Sequence, residues 1–132
     1  MEPTQRPETG NSNRLPLEMK FNRPCIKVRI GQKTCNALID TGATHSFIAD
    51  DVAAYCRTMG LPKVQPTLSS VKLASQKIVH LVEAYQVRMT IGSTTFTKVM
   101  PHLPQLVTDV VIGMDLLLQF QAQIDLATNQ LT

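Results

Sequence analysis

Alternating apolar and polar positions predict a domain built mainly from β-strands. The segment 25–30 alternates, with its branched apolar residues on one face, and the segment 34–39 is expected to return beside it. Gly31 leads the two-residue connection, as is typical of a type II′ hairpin turn. In this register Cys25 lies opposite Leu38, so the first two predicted strands form a hairpin.

One helix and several more strands follow this hairpin. Helical spacing places Val52, Cys56 and Met59 on one face of a helix predicted over residues 50–59, and Gly60 follows as a natural C-terminal cap. Apolar runs separated by turn residues predict further strands over residues 71–73, 78–81, 86–91, 94–100, 109–112 and 122–126.

The N-terminal segment differs in composition from the rest of the chain. Residues 1–20 are rich in Pro, Thr, Asn, Glu and Arg without apolar periodicity, which predicts a flexible leader before a folded domain over residues 21–132. No apolar run approaches the roughly 20 residues of a membrane span, and the leader lacks the apolar core of a signal peptide. An intracellular protein without membrane contact is therefore expected.

Composition narrows the classes of function. The 132 residues suit a single domain, and hydrophobic residues make up 43% of them. The net charge of +3 is mild and the basic residues are scattered, which favours ordinary surface charge over a nucleic-acid interface. Three cysteines without a CxxC spacing and three separated histidines indicate neither a disulfide framework nor a metal site, so no metal or cofactor is expected.

One acidic residue ends an apolar strand. Asp40 follows Leu38 and Ile39, and such a carboxylate is costly in an apolar setting unless it is hydrogen-bonded or paired. Gly42 lets the backbone approach the carboxylate closely, so that the Gly42 amide can hold it, and Thr41 adds a hydroxyl. The alternative interpretation is a simple turn after a strand.

A second segment carries another acidic residue after a buried strand. Asp115 follows the apolar run 110–112 and the residue pair Gly113-Met114, and by itself it is expected to cap a short helix through residues 116–118.

Together the two segments resemble known active-site motifs. Residues 38–48, with Asp-Thr-Gly-Ala at their centre, are similar to the signature of retroviral-type aspartic proteases, in particular those of Ty3/Gypsy long-terminal-repeat retrotransposons. Residues 111–117 resemble the second signature of the same group, and the resemblance extends over about residues 24–132. It implies an all-β, retropepsin-like closed barrel with one or two short helices, acting as a homodimer on polypeptide substrates inside the cell, in the cytoplasm or in retroelement particles.

The resemblance also implies residue roles. Asp40 would be the catalytic carboxylate, and an active-site loop of Thr41, Gly42 and Ala43 would contact the partner subunit and the substrate backbone. Residues from Leu73 to Ile78 would form a flap over the substrate, with residues 74–77 as its tip and with Leu73, Ala74, Ser75 and Gln76 as its substrate-binding residues. Ile112, Gly113 and Asp115 would form the second signature, in which Gly113 allows close packing, and strands within residues 124–132 would join the dimer interface.

The sequence departs from the family pattern at two places. The predicted flap tip lacks the usual glycine. Retroviral members often pair an acid after the first motif with an arginine after the second glycine, whereas this chain has Thr44 and Met114 there. Both partners of that ion pair are absent together, so no unpaired charge is left.

A single Asp-Thr-Gly motif implies that two copies are needed. Peptide hydrolysis by this chemistry requires two adjacent carboxylates that share a proton, one to activate water and one to donate. A twofold-symmetric dimer would supply Asp40 twice, and apolar residues Val71, Leu73, Ile78 and Val110 would favour large apolar groups beside the scissile bond. The expected function is an aspartic endopeptidase that processes a retroelement polyprotein. The alternative is a catalytically inactive dimerisation or peptide-binding domain of the same fold.

Overall fold

The structure, a computed structural model, describes residues 14–20 and 22–132. Most of the predicted leader, residues 1–13, lies outside the described residues, as does Phe21. None of the helices in the described part of the chain is long and apolar enough to cross a membrane.

Strands dominate the described residues, as the alternating pattern predicts. The strands are Leu15–Pro16 (β1), Glu18–Lys20 (β2), Arg23–Ile30 (β3), Lys33–Ile39 (β4), Phe47–Ile48 (β5), Lys63–Val64 (β6), Ser70–Lys72 (β7), Ile78–His80 (β8), Ala84–Ile91 (β9), Thr94–Pro101 (β10), Val110–Ile112 (β11), Ile124–Asp125 (β12) and Gln130–Leu131 (β13). The helices are Asp50–Thr58 (α1) and Met114–Gln119 (α2).

The largest sheet has the strand order β10-β9-β3-β4-β11-β5 and curls until its two ends meet. The end strands join through one bridge between Ile48 and His102, and the Leu103 amide donates to the Ile48 carbonyl at 3.0 Å. A hydrogen bond supports this seam, since His102 Nε2 lies 2.6 Å from Asp50 Oδ1 at the start of α1. The sheet is therefore a nearly closed barrel, which confirms the predicted fold class.

The predicted hairpin has the expected register. Cys25 of β3 pairs with Leu38 of β4, and Gly31 has a φ of 60° in the connecting turn. Helix α1 buries Val52 and Cys56 as predicted. Met59 is 57% exposed instead, because the helix ends at Thr58 and the chain turns away at Gly60, whose φ is 69°.

Two short strands lie inside the predicted leader. Leu15–Pro16 pairs with β13, and Glu18–Lys20 pairs with β3, so the boundary predicted at residue 21 is too late. Strands of two or three residues leave no periodic pattern, which is why sequence analysis missed them. The strand predicted over residues 122–126 is likewise reduced to Ile124–Asp125.

Strand β11 divides the apolar residues into two clusters. Val110 and Ile112 belong to the main core of the barrel, whereas Val111 packs in a second cluster with Phe47 and Leu103. Side chains alternate between the two faces of a strand, so neighbouring residues in β11 serve opposite sides of the sheet. The second cluster lies beside the end of β4, where Asp40 follows.

Gly113, the residue after β11, is packed so closely that no Cβ fits there. A Cβ at Gly113 would come within 2.7 Å of the Ala43 carbonyl oxygen and closer still to that of His45. Its φ of −97° is open to any residue, so contact, not backbone conformation, requires glycine here. Gly113 therefore fixes how closely the second signature approaches the loop after β4.

We expect Gly113→Ala to lower the free energy of unfolding by about 3 kcal/mol or more, at the upper end of overpacking costs, because backbone carbonyls cannot move aside. Gly60→Ala is the matched control: Gly60 has a positive φ but no atom within 4 Å of the added Cβ, so a cost of about 1–2 kcal/mol is expected. Urea denaturation at a fixed protein concentration measures both values. A cost for Gly113→Ala no larger than that for Gly60→Ala would contradict the packing argument.

Candidate active site

Asp40 stands where the parallel pair of β4 and β11 ends. Strand β11 runs beside β4 with Ile112 opposite Ile39, and the Asp40 amide donates to the Ile112 carbonyl at 2.9 Å. The side chain of Asp40 is half-buried. The sheet itself therefore fixes where the carboxylate leaves the backbone.

The loop after Asp40 folds back onto the carboxylate. The Gly42 amide donates to Asp40 Oδ1 at 3.0 Å, which is the contact predicted for this glycine, and the Ala43 amide donates to the Asp40 carbonyl at 3.1 Å. Within the described residues Oδ2 of Asp40 accepts no hydrogen bond. One carboxylate oxygen is thus held by the backbone, and the other remains open to solvent or substrate.

The second signature holds the same loop from behind. The Met114 amide donates to the Ala43 carbonyl at 2.7 Å, and the Asp115 amide donates to the Thr44 carbonyl at 3.2 Å. These bonds exist because Gly113 allows the two backbones to touch. Thr44 and Met114, the two positions that depart from the family pattern, thus each bond through the backbone to a residue next to the other, Asp115 and Ala43.

A side-chain network completes this connection. Ser46, which is buried, donates its hydroxyl to Asp115 Oδ1 at 2.6 Å and accepts the Gly113 amide at 2.9 Å. The Ser46 amide also donates to Asp115 Oδ2 at 3.3 Å. The amide and the hydroxyl of Ser46 therefore both bind the second signature.

The role of Asp115 differs from the sequence prediction. Helix α2 begins at Met114 with Gly113 as its N-cap, so Asp115 lies in the first turn and does not cap residues 116–118 from outside. Its carboxylate still accepts the Leu116 amide at 2.8 Å, but it also binds Ser46, which is 69 residues away in sequence. Sequence analysis missed Ser46 because a contact over that distance leaves no local pattern.

The surroundings of Asp115 favour its charged form. Burial opposes ionisation, but hydrogen bonds from Ser46 and the Leu116 amide and the charge of Lys98 outweigh it, so the pKa of Asp115 lies below the ordinary value of 3.8. Lys98 Nζ is 3.4 Å from Asp115 Oδ2. The network is therefore built around a carboxylate and not a carboxylic acid.

Asp40 opens into a cleft of about 780 Å³ between the barrel and the β7–β8 hairpin. Gly42 and Ala43 line the cleft together with Leu73, Ala74 and Gln76 of the hairpin turn, whereas Thr41 and Ser75 do not. Ile112 and Asp115 lie behind the loop. The described residues thus bring the two motifs and most of the predicted flap tip to one place.

The hairpin turn forms without glycine. The Leu73 amide donates to the Lys77 carbonyl at 2.8 Å, and the Gln76 amide donates to the Leu73 carbonyl at 2.9 Å. Gln76 takes a φ of 72°, the left-handed conformation that glycine adopts more easily. The turn therefore forms without the glycine that is usual at the flap tip, because Gln76 takes the left-handed conformation at a cost in backbone strain.

The apolar walls of the cleft partly differ from the predicted set. Val71 and Leu73 line it as expected, but Val110 is buried in the main core and Ile78 is not part of the wall. Other large residues take their place: Phe47, Leu68, Leu103, Leu106 and Val111. Val111 replaces Val110 because only alternate residues of β11 face this side.

No other feature of the described residues offers comparable chemistry. A second pocket, of about 410 Å³ beside α2, is lined by no titratable side chain. No group of three or more His, Cys, Asp or Glu residues in the described part of the chain could hold a metal ion. The cysteines are free and buried, and burial raises the pKa of both Cys35 and Cys56 to about 11, which leaves them uncharged.

We expect Asp115→Asn to lower the free energy of unfolding by about 1–3 kcal/mol near pH 6, since it removes the charge that accepts these hydrogen bonds. The folded-state pKa is depressed, so this contribution is complete above the unfolded-state pKa and is lost as the pH falls through the folded-state pKa. The gap between wild type and variant should therefore shrink below about pH 4. Urea denaturation from about pH 6 to 2 measures it, with Asp51→Asn as an exposed control. A gap that stays constant with pH would contradict the argument.

Comparisons with known proteins agree with this geometry. Residues 26–119 match the family model described as "gag-polyprotein putative aspartyl protease". The structure is similar to the retroviral protease-like domain of Ddi1 from Leishmania major, at 20% identity over 86% of this chain and 89% of that chain, with a TM-score of 0.64. It is also similar to the EIAV protease complexed with the inhibitor HBY-793, at 26% identity over 79% of this chain and 93% of that chain, with a TM-score of 0.62.

A search of curated proteins gave no match. The family match nevertheless spans most of the chain and includes both motifs, Asp40 and its loop as well as the second signature. The solved structures share the same fold around that segment. The chain belongs to the gag-polyprotein family of retroviral-type aspartic proteases.

Proposed function

We propose that this chain is an aspartic endopeptidase that is active as a homodimer, with Asp40 from each of two copies forming the catalytic pair. The observation that carries the proposal is the fixation of Asp40. Its amide, its carbonyl and one carboxylate oxygen are all hydrogen-bonded within the protein, while the other oxygen faces a cleft. Such preorganisation is what a catalytic carboxylate requires.

One copy alone lacks half of the chemistry. Among the described residues Asp40 is the only carboxylate that lines the cleft, and a lone carboxylate can take a proton from water but cannot also donate one to the peptide. Two such carboxylates at short distance cannot both be ionised, which is the established behaviour of aspartic protease pairs. In the dimer, the ionised Asp40 accepts a proton from water, and its protonated counterpart donates to the substrate carbonyl.

Surfaces on either side of Asp40 suit this arrangement. Thr41 is exposed at the loop tip, where its hydroxyl is available to the backbone of a second copy. The three-stranded sheet β1-β13-β12 adds open strand edges, since β1 and β12 each pair on one side within the described residues. We assign the dimer contact to the loop and this sheet together, an arrangement in which the two Asp40 side chains would face each other across the twofold axis.

The substrate is an extended polypeptide. The cleft lies between the barrel and the β7–β8 hairpin, so a strand inserted there can use backbone hydrogen bonds for affinity and side-chain pockets for selectivity. The apolar wall residues, among them Val71, Leu73 and Val111, favour large apolar side chains beside the scissile bond. By its resemblance to Ty3/Gypsy-type enzymes, the chain acts on a retroelement polyprotein inside the cell, with the hairpin as the flap.

We expect purified wild-type protein to cleave unfolded casein at mildly acidic pH, and Asp40→Asn to lose at least about 1,000-fold of that activity, because the pair can no longer share a proton. Pepstatin should inhibit the wild type, and Asp51→Asn should retain activity. Intact-mass analysis of casein over time measures cleavage. Absence of cleavage at concentrations where sedimentation shows a dimer would identify the chain as an inactive relative.

Mixing wild type with the inactive variant tests whether two copies form one site. Adding an equal amount of Asp40→Asn to a fixed amount of wild type should reduce activity to about half, since random pairing leaves half of the wild-type subunits with a wild-type partner. Asp51→Asn is the matched control and should not reduce it. Activity that is unaffected by Asp40→Asn after subunit exchange would contradict a shared site.

A further inference from the structure

The cleft around Asp40 carries an excess of positive charge at its edges. Arg23 and Lys72 both line the cleft, and among the described residues Asp40 is the only acidic side chain that lines it. Both cationic residues are exposed, and within the described residues neither forms an ion pair or a side-chain hydrogen bond. Elsewhere on the described surface, lysine and arginine residues do pair, as Arg57 and Lys63 do with Glu83.

The register of the β3–β4 hairpin places Arg23 on the cleft side. Cys25 pairs with Leu38, so Arg23 and Asp40 lie two residues beyond that pair at the same end of the hairpin. Side chains two residues apart in a strand share a face, so Arg23 shares the face of Cys25, and Asp40 leaves β4 on the face of Leu38. Arg23 is therefore directed to the floor of the cleft.

Lys72 approaches the cleft from the opposite wall. It ends β7 next to Leu73, on the hairpin that covers the cleft. Apolar residues line the same cleft, among them Val71, Phe47 and Val111. A polypeptide bound along the cleft would thus meet apolar groups and, on each wall, one cation.

We propose that the chain prefers polypeptide substrates in which acidic side chains flank an apolar scissile pair. This inference rests on the proposed function and names the substrate class of that same site. In a symmetric dimer each cation occurs twice, so both flanks of the substrate meet the same positive charge. Among the described residues these cations have no acidic partner, so a glutamate of the substrate competes with no acidic side chain of that part of the chain.

A polypeptide fits this arrangement better than a nucleic acid does. The cations are divided between two walls of a cleft whose interior is apolar, whereas single-stranded nucleic acid requires a continuous cationic groove with aromatic stacking. Among the described residues that line the cleft, Phe47 is the only Phe, Tyr or Trp.

Profiling wild type on a proteome-derived peptide library first identifies a cleavable apolar centre. The test then compares peptides that share this centre and differ only in whether Glu, Gln or Lys flanks it. We expect wild type to show a kcat/KM about three- to tenfold higher for Glu than for its isostere Gln, and lowest for Lys, at low salt. About 0.5 M salt should reduce the preference, because it screens exposed charges.

Charge-removing variants assign the preference to the two residues. Arg23→Gln and Lys72→Gln together should bring the Glu-to-Gln ratio close to one, and Lys72→Gln alone, in an exposed hairpin, should lower it without affecting the fold. Lys33→Gln is the control, since Lys33 lies at the far end of the same strand pair, roughly 20 Å away, and does not line the cleft. Peptide binding to Asp40→Asn, measured by fluorescence anisotropy, should show the same order.

The outcomes separate this inference from the proposed function. If Gln-flanked peptides are cleaved as well as Glu-flanked ones, or if the ratio survives both substitutions, the acidic preference is wrong and the protease assignment stands. If the library shows no cleavage, but Asp40→Asn and wild type bind peptides with an apolar centre more tightly when Glu and not Gln flanks it, the preference stands and the catalytic assignment is wrong. If neither cleavage nor selective binding is seen, both are wrong.

Discussion

The contact between Gly113 and the loop after β4 is the constraint on which the site depends. Two chain segments that are about seventy residues apart approach so closely that no side-chain atom fits between them. That approach lets Met114 and Asp115 donate their amides to the loop, and it brings Ser46 within reach of the Asp115 carboxylate. The packing at Gly113 therefore supports the loop whose Gly42 amide holds the Asp40 carboxylate.

A rigid floor and a separate roof follow from the same architecture. The floor belongs to the nearly closed barrel, where β4 and β11 run in parallel between other strands. The roof is a two-stranded hairpin that forms its own small sheet and packs on the second apolar cluster through Val71, Leu73 and Val79. An isolated hairpin of this size is marginally stable in water, so the Asp40 loop lies on the stable part of the fold and the hairpin over the cleft is the weaker part.

Local patterns predicted local structure well and failed where a neighbour in space decides. The β3–β4 hairpin, its register and helix α1 follow from periodicity and turn residues. Helical periodicity places Met59 on the buried face because it does not reveal that the helix ends one residue earlier, at Thr58. Val110 was assigned to the cleft because a continuous apolar run such as β11 is buried on both sides, and its sequence does not say which residue faces which.

The sequence alone identifies the residues on which the proposed chemistry depends. They are an acidic residue at the end of an apolar strand, a glycine two residues later, and a second signature whose order and spacing are similar to those of retroviral-type proteases. Tertiary structure alone decided which groups hold that acid. Sequence analysis does not distinguish Ser46 from any other serine, and by itself it predicts that Asp115 caps a helix. In the fold the Ser46 hydroxyl lies 2.6 Å from Asp115 Oδ1. The charge of the cleft edges was likewise hidden, since Arg23 and Lys72 come from different sheets. Hydrogen bonds and surface charge act over a few ångströms in space, and separation along the chain does not reveal that distance.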